Sequence, residues 1–365
     1  MRLVIGTRPE AIKVAPIAHA LRVCGLLPTL VFTDQHPALD PVEFGIGDYP
    51  AVRLGCPGEE DPHRHVQKVT GELLSRLRPK PDLLVVQGDT SSALGAALAG
   101  VLAGVPVAHV EAGLRTHDAL LPWPEEEYRV SIDAQADLLF APTERAAANL
   151  RAESVRGEVH VTGNTGIDAL YAARSRLPPT PSSVLEAPPR ILVTCHRRES
   201  WGEGFRSIAA ALGQIARDGT ALIDFVLHPN THVAASMRHL LDSTRGISLV
   251  PPCSQGELIR RMQEAELVLS DSGGIQEEAA ALGAPLLILR EKTERPECIE
   301  SGNARLVGTS TERIVAEVRR LFENPYERLA MARPAFPFGD GSAGQLIASI
   351  IEGWLKRRSV TRPSA

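Results

Sequence analysis

The sequence predicts an α/β protein built as two Rossmann-type, doubly wound parallel-sheet domains. Short apolar runs alternate with helical stretches along the whole chain, the rhythm of strand, loop and helix. The strand candidates are apolar throughout rather than alternating, as expected where both faces of a sheet are covered. The rhythm stops once, at Leu177-Pro178-Pro179-Thr180-Pro181-Ser182-Ser183 with Pro188-Pro189 just after, and then restarts. That stretch is too rich in Pro for a helix or a central strand. It divides residues 1–176 from residues 190–344, with 177–189 as a hinge. A chain of 365 residues is long enough for two separate cores.

Six strands are expected in the first domain: Leu3–Ile5, Thr29–Thr33, Leu83–Gln87, Val105–Val110, Leu138–Ala141 and Val159–Thr162. After the first comes Gly6-Thr7-Arg8-Pro9-Glu10-Ala11-Ile12-Lys13, a helix start with Pro9 at the first helical position and Glu10 in the first turn. Ala93 to Val110 holds no Asp, Glu, Lys or Arg. It is nevertheless rich in Ala and Gly and broken by Pro106 and His109, so it reads as a buried helix (about 91–104) and a strand (about 105–110), not a membrane span. The second domain restarts with Arg190–Thr194, Ile223–Leu227, Ser248–Val250, Leu267–Leu269 and Leu286–Leu289. A last amphipathic helix, roughly 345–358, is expected to pack back on one of the two domains, the first in our division.

Composition narrows the function. Aromatics are 4% of the chain, so packing must rest on Leu, Val, Ile and Ala. The net charge of −5 leaves no footprint for a polyanion, and the tight basic run Lys356-Arg357-Arg358 reads as a solvated helix end. Nucleic acid is therefore not an expected partner. The five cysteines, at 24, 56, 195, 253 and 298, form no C-x-x-C, which fits a reducing cytoplasm without structural disulfides or zinc. The N-terminal apolar run is only Leu3-Val4-Ile5, so no signal peptide is visible and neither membrane insertion nor export is expected.

Chemistry concentrates where a parallel sheet places ligands, at the carboxyl ends of strands. The most informative stretch is Ser270-Asp271-Ser272-Gly273-Gly274-Ile275-Gln276-Glu277-Glu278. A strand that breaks into Ser-Gly-Gly and then a helix aims backbone N–H groups outward, an arrangement that binds phosphate. One strand later comes Arg290-Glu291-Lys292-Thr293-Glu294-Arg295-Pro296-Glu297, a loop with three cations. Together they suggest a nucleotide or diphosphate site. Arg8 and Lys13 could also reach a diphosphate. Gly6–Lys13 is neither G-x-G-x-x-G nor a P-loop, so neither NAD nor ATP is implied.

Asp89 and Glu111 end two strands expected to be adjacent, and Pro122-Trp123-Pro124-Glu125-Glu126-Glu127 adds acid at a helix start. Helix-dipole partnering accounts for some of these acids, Glu127 among them, but not for carboxylates at several strand ends. Such a cluster can supply a general acid and base. His196 stands between a strand and Arg197-Arg198, where a protonated imidazole would suit a diphosphate. Cys195 reads as a small buried residue and His109 as a satisfied core residue. No close His/Asp pair has metal-ligand spacing.

Eight segments together resemble the non-hydrolysing UDP-N-acetylglucosamine 2-epimerase family. They are Gly6–Lys13, Gly88-Asp89-Thr90, His109–Thr116, Pro122–Glu126, Thr162–Thr165, His196–Ser200, Asp271–Glu278 and Thr293–Glu297, in order over nearly the whole chain. The resemblance implies a GT-B-like pair of Rossmann-type domains with the active site in the cleft between them, usually as a homodimer, without NAD or metal. It implies interconversion of UDP-GlcNAc and UDP-ManNAc by loss of UDP to a bound 2-acetamidoglucal and re-addition with C2 inverted. Carried over, Asp89, Glu111 and Glu125 look like the acid/base carboxylates and His196 like the catalytic histidine near the diphosphate. Arg8, Lys13, Arg129, Ser272, Gly273, Gly274, Glu278 and Arg295 look like the UDP-sugar-binding set. Gln35, Arg197 and His228 match a second UDP-GlcNAc site that acts as an activator in bacterial members. Three departures stand out. Tyr128 replaces a common Asn, and Cys195 a small residue that is often Gly. Pro37 replaces a common Arg, which puts the activator site in doubt.

Other readings stay open on the sequence: an epimerase of another UDP-2-acetamido sugar, a glycosyltransferase of the same architecture, a hydrolysing relative, or a nucleotide-sugar sensor. A transferase would need an acceptor site and not three carboxylates around one sugar carbon. A sensor would not need the acid/base set.

Overall fold

The computed structural model describes residues 1–37, 39–178, 188–242 and 244–361, so the centre of the expected hinge, 179–187, lies outside the described residues. The chain forms two compact units. One is Met1–Ala169 with Phe338–Ala365, and the other is Leu170–Pro337.

The first unit carries β1 (Arg2–Ile5), α1 (Arg8–Val23), β2 (Thr29–Phe32), β3 (Ala51–Arg53), α2 (Pro62–Arg76), β4 (Leu84–Gln87), α3 (Ser91–Ala103), β5 (Val107–Val110), α4 (Glu125–Asp133), β6 (Leu138–Ala141), α5 (Glu144–Ala152), β7 (Glu158–Val161) and α6 (Thr165–Arg174), within which the division of units falls. Its seven strands pair in parallel in the order β3-β2-β1-β4-β5-β6-β7. The winding reverses between β1 and β4, the switch point where such sheets open a ligand crevice. The apolar runs make sense on this sheet because both faces are buried. Leu3, Ile5, Leu30 and Phe32 enter the core that includes α1, while Val4, Val31, Leu84 and Val86 enter the opposite core with α2 and α3.

The second unit carries β8 (Arg190–Thr194), α7 (Glu203–Arg217), β9 (Leu222–Val226), α8 (Thr231–Leu241), β10 (Ile247–Val250), α9 (Gln255–Glu264), β11 (Leu267–Ser270), α10 (Gly273–Leu282), β12 (Leu286–Ile288), α11 (Glu297–Glu300), β13 (Ala304–Leu306), α12 (Thr311–Glu323) and α13 (Pro325–Met331). Six parallel strands run in the order β10-β9-β8-β11-β12-β13, with the reversal between β8 and β11. Its core sets Ile191, Val193, Phe225 and Leu269 against Phe205, Ile208 and Leu212 of α7 and Ile314 and Val318 of α12.

The last helix, α14 (Ala343–Thr361), belongs to the first unit and packs on α1. Ile347, Ala348, Ile351 and Trp354 join the core containing Ala11, Val14 and Ile17. Gly344 lets the helices approach: a Cβ there would lie 3.0 Å from the Pro16 backbone.

Sequence reasoning does not find β3 or β13, because each is a three-residue edge strand without an apolar run. The helix of the uncharged stretch ends at Ala103, and its strand begins only at Val107, after Gly104 turns the chain left-handed (φ 63°) and Val105-Pro106 lead in. Pro9 takes the second helical position of α1, not the first, since Thr7 is the N-cap. No helix among the described residues is long and apolar enough to cross a membrane.

Candidate active site

In the first unit the strand-end residues form paired charges. Glu111 follows β5 with φ 71°, a left-handed conformation that costs a residue with a Cβ about 1–2 kcal/mol. Its Oε2 accepts from Lys13 Nζ at 2.5 Å and from the Gln87 carboxamide. The parallel register sets Gln87 beside Val110, and so next to Glu111. Asp89 lies two residues beyond β4. Arg129 of α4 donates to its Oδ2 through Nε (3.0 Å) and Nη2, and to Glu126 Oε2 through Nη1 (3.0 Å). Glu126 in turn accepts the Thr116 and His117 N–H groups, both at 2.9 Å. Glu125 opens α4 and is half-buried.

The resemblance places Lys13 and Arg129 with the UDP-sugar, and here their cationic groups sit on the two strand-end carboxylates. Arg8 pairs with Glu43 at 2.8 Å and lies over the Phe44 ring. Gln35 accepts the Ser92 hydroxyl through Oε1 at 2.7 Å. His109 is wholly buried, with Nδ1 2.6 Å from Asp133 and Nε2 2.8 Å from the Gly88 carbonyl. Asp133 also accepts the Gly113 N–H (3.1 Å) and Arg115 Nη2 (2.7 Å). The core histidine expected from the sequence thus ties the loop before Asp89 to the loop after Glu111.

Glu10 closes the start of α1. Its Oε2 accepts the Gly6 and Thr7 N–H groups at 2.5 and 2.7 Å, and Oε1 accepts the Thr90 hydroxyl at 2.5 Å. Burial pushes this carboxyl up to about 7, although those hydrogen bonds pull it down. The native state therefore binds the Glu10 proton more tightly than the unfolded chain. The stability linked to it is fully present below the ordinary glutamate value of 4.5 and is lost as pH rises through about 7. We expect the melting temperature of Glu10→Gln to depend less on pH than that of the wild type between those two values. Parallel curves in differential scanning calorimetry would contradict this.

In the second unit, Ser272 caps α10 with no side-chain hydrogen bond to the first turn. Gly274 opens on free space, whereas a Cβ on Gly273 would lie 2.5 Å from Arg295 Nη1, so Arg295 lies directly against the Ser-Gly-Gly turn. Arg295 is buried with its Nε on Glu277 (2.5 Å) and Nη1 on Glu294. Arg290 is also buried, on Glu199 at 2.7 Å and Glu294 at 2.8 Å. The loop expected to present three cations therefore turns two of them inward, because a buried guanidinium needs carboxylate partners. Glu278 lies half-buried on α10.

His196 follows β8 and Cys195. Its ring stacks on His228, with centroids 4.8 Å apart and planes at 10°. Burial pushes the imidazole pKa down; Asp271 opposes this, and Arg197 and Arg290 add to it. The side chain keeps 30% exposure, so the push is partial. The resting ring is thus biased toward neutral, opposite to the protonated form that would suit a diphosphate. Burial, with Asp271 alongside, pushes the Cys195 thiol well up, which suits an inert buried residue. The Arg197 N–H donates to Asp271 Oδ2 at 2.8 Å.

Gln87, Glu126 and Asp271 hold candidate site residues, a role the sequence does not assign to them. For Gln87 the signal was a lone amide closing an apolar strand. For Asp271 it was a carboxylate just past one. For Glu126 it was an acidic run at a helix start, which does not disclose the amides it binds ten and nine positions away.

Two parallel-sheet units with carboxylates and cations at their strand ends define an α/β enzyme. The profile of the UDP-N-acetylglucosamine 2-epimerase family matches residues 26–352. A UDP-N-acetylglucosamine 2-epimerase from Salmonella typhimurium is 40% identical over 379 residues, covering 96% of this chain and 98% of the relative. The UDP-GlcNAc 2-epimerase from Neisseria meningitidis, solved bound to UDP-GlcNAc, superposes with a TM-score of 0.88 at 34% identity, covering 97% of this chain and all of that one. The Methanocaldococcus jannaschii enzyme, in complex with UDP-GlcNAc and UDP, gives 0.85 at 32% identity over 97% of this chain and 100% of its own. The chain belongs to the UDP-N-acetylglucosamine 2-epimerase family and is an isomerase with its GT-B-like fold.

Proposed function

We propose that this isomerase interconverts UDP-GlcNAc and UDP-ManNAc without net hydrolysis, by losing and regaining UDP. A base removes the C2 proton, the C1–O bond to the diphosphate breaks, and C1=C2 forms in a bound 2-acetamidoglucal. UDP then returns to C1 while a proton arrives on the opposite face of C2. This needs more than one acid/base group, and Asp89, Glu111 and Glu125 are the candidates. The observation that carries the reading is Glu111, held in a strained left-handed conformation with its carboxylate on Lys13 and Gln87. A cation beside a carboxylate favours its ionised form, the form a base requires. Arg129 acts on Asp89 in the same way. The α10 N-terminus, with Ser272, Gly273 and Gly274, supplies N–H donors for the charge that builds on the departing diphosphate. Arg295 supports that turn from beneath, and Arg8 and His196 complete the set. Glu278 is suited to the ribose hydroxyls. Gln35, Arg197 and His228 remain the candidates for a second UDP-GlcNAc. We further propose a homodimer working in the cytoplasm.

Proton NMR of the purified protein with UDP-GlcNAc in heavy water, without added NAD or metal, tests the reaction. We expect UDP-ManNAc carrying deuterium at C2. Free ManNAc with UDP would replace this reading with hydrolysis, and epimerisation without deuterium at C2 would exclude proton exchange there.

A further inference from the structure

We infer that Asp271 is a positioning residue for His196, holding the imidazole with its proton on Nδ1 so that Nε2 is the nitrogen that meets the substrate. The inference rests on the proposed role of His196. Asp271 is the first residue past β11 and is wholly buried. Its two oxygens do different things. Oδ2 pins the neighbouring strand end, accepting the His196 N–H and Arg197 N–H at 2.8 Å each and the Cys195 thiol at 3.1 Å. Oδ1 makes no hydrogen bond among the described residues, yet it lies 3.3 Å from His196 Nδ1. A structural anchor for the 195–197 backbone needs only the first oxygen.

A buried carboxylate oxygen without a donor lowers stability, and a lone pair on Nδ1 facing it would be repulsive. A proton on Nδ1 removes both costs, and at 3.3 Å the two atoms are already neighbours. Catalytic hydrogen bonds are often long before substrate binds and tighten in the complex. The stack on His228 restrains the ring plane meanwhile. His228 itself receives the Asn230 N–H on Nδ1 at 3.1 Å, so in its neutral form its proton sits on Nε2. The two stacked rings would then carry opposite tautomers.

Asp271→Asn tests this. If its carbonyl keeps the three donors, its NH2 faces His196 Nδ1 and forces the proton to Nε2. The carboxylate that fixes a catalytic histidine's tautomer in hydrolytic triads shows how costly that swap is. We expect kcat to fall about 10²- to 10⁴-fold with KM for UDP-GlcNAc within about threefold. His196→Asn is measured beside it. Wild-type turnover in His196→Asn would remove the role of His196, and the inference with it. A slow His196→Asn with normal turnover in Asp271→Asn would overturn the inference alone. The double variant should be no slower than His196→Asn; losses that multiply would mark Asp271 as merely structural. Should Asp271→Asn not fold, nitrogen-15 spectra of the wild type at pH 8, assigned by comparison with His196→Asn, still decide. A protonated Nδ1 on His196 is expected, and a protonated Nε2 would refute the assignment.

Discussion

Glu111→Gln is expected to lower kcat by about 10²- to 10⁴-fold, the range for losing one acid/base group, and to stop deuterium entry at C2 in step. The same substitution leaves the Lys13 ammonium without its carboxylate in a site where the two side chains are only 12% and 6% exposed. Breaking a buried pair by removing one partner costs about 3–5 kcal/mol, so a folding defect could imitate a catalytic one. The double substitution Lys13→Met, Glu111→Gln separates them. With neither charge present, stability should return most of the way to wild type while turnover stays lost. Urea unfolding and the heavy-water NMR assay on the three proteins check this. Full turnover in Glu111→Gln, or recovery of activity with stability in the double variant, would take Glu111 out of the mechanism.

The contrast between what the sequence discloses and what it hides follows from range. Central strands such as Leu84–Gln87 and Leu138–Ala141 are buried along their whole length, so an apolar run is enough to find them. Ala51–Arg53 is fully exposed and Ala304–Leu306 mostly half-buried, and each pairs with one strand only, so their strand character comes from the partner's backbone and not from their own side chains. The same holds for the site. Asp89, Glu111 and His196 are legible as candidates because a parallel sheet puts ligands at strand ends. The grip on each is not, because Lys13 reaches Glu111 across 98 positions, Arg129 reaches Asp89 across 40, and Asp271 reaches the His196 backbone across 75. A sequence shows that a loop cation exists but not which way it faces. Two cations of the loop at 290–297, Arg290 and Arg295, face inward among Glu199, Glu277 and Glu294.

Arg129→Met should damage the first unit itself. Arg129 is 3% exposed and joins two carboxylates, Glu126 at 6% and Asp89 at 30%. Removing it strands the Glu126 charge, which among the described residues keeps only the two loop amides, and the expected loss is about 3 kcal/mol, the lower end of the buried-pair range because Asp89 can turn to water. The damage should be local. Amide exchange should quicken over 111–118 and 125–133, where Glu126 joins the loop to the helix, and stay unchanged in Leu170–Pro337. Asp89 would also lose the fork that orients it, so turnover should fall with stability. Arg129→Lys sharpens the argument, because a point charge restores neutrality but not a planar fork reaching two carboxylates at once. It should regain most of the stability and little of the activity. Equal recovery of both would mean that Arg129 supplies charge alone and that the orientation of Asp89 does not limit the reaction.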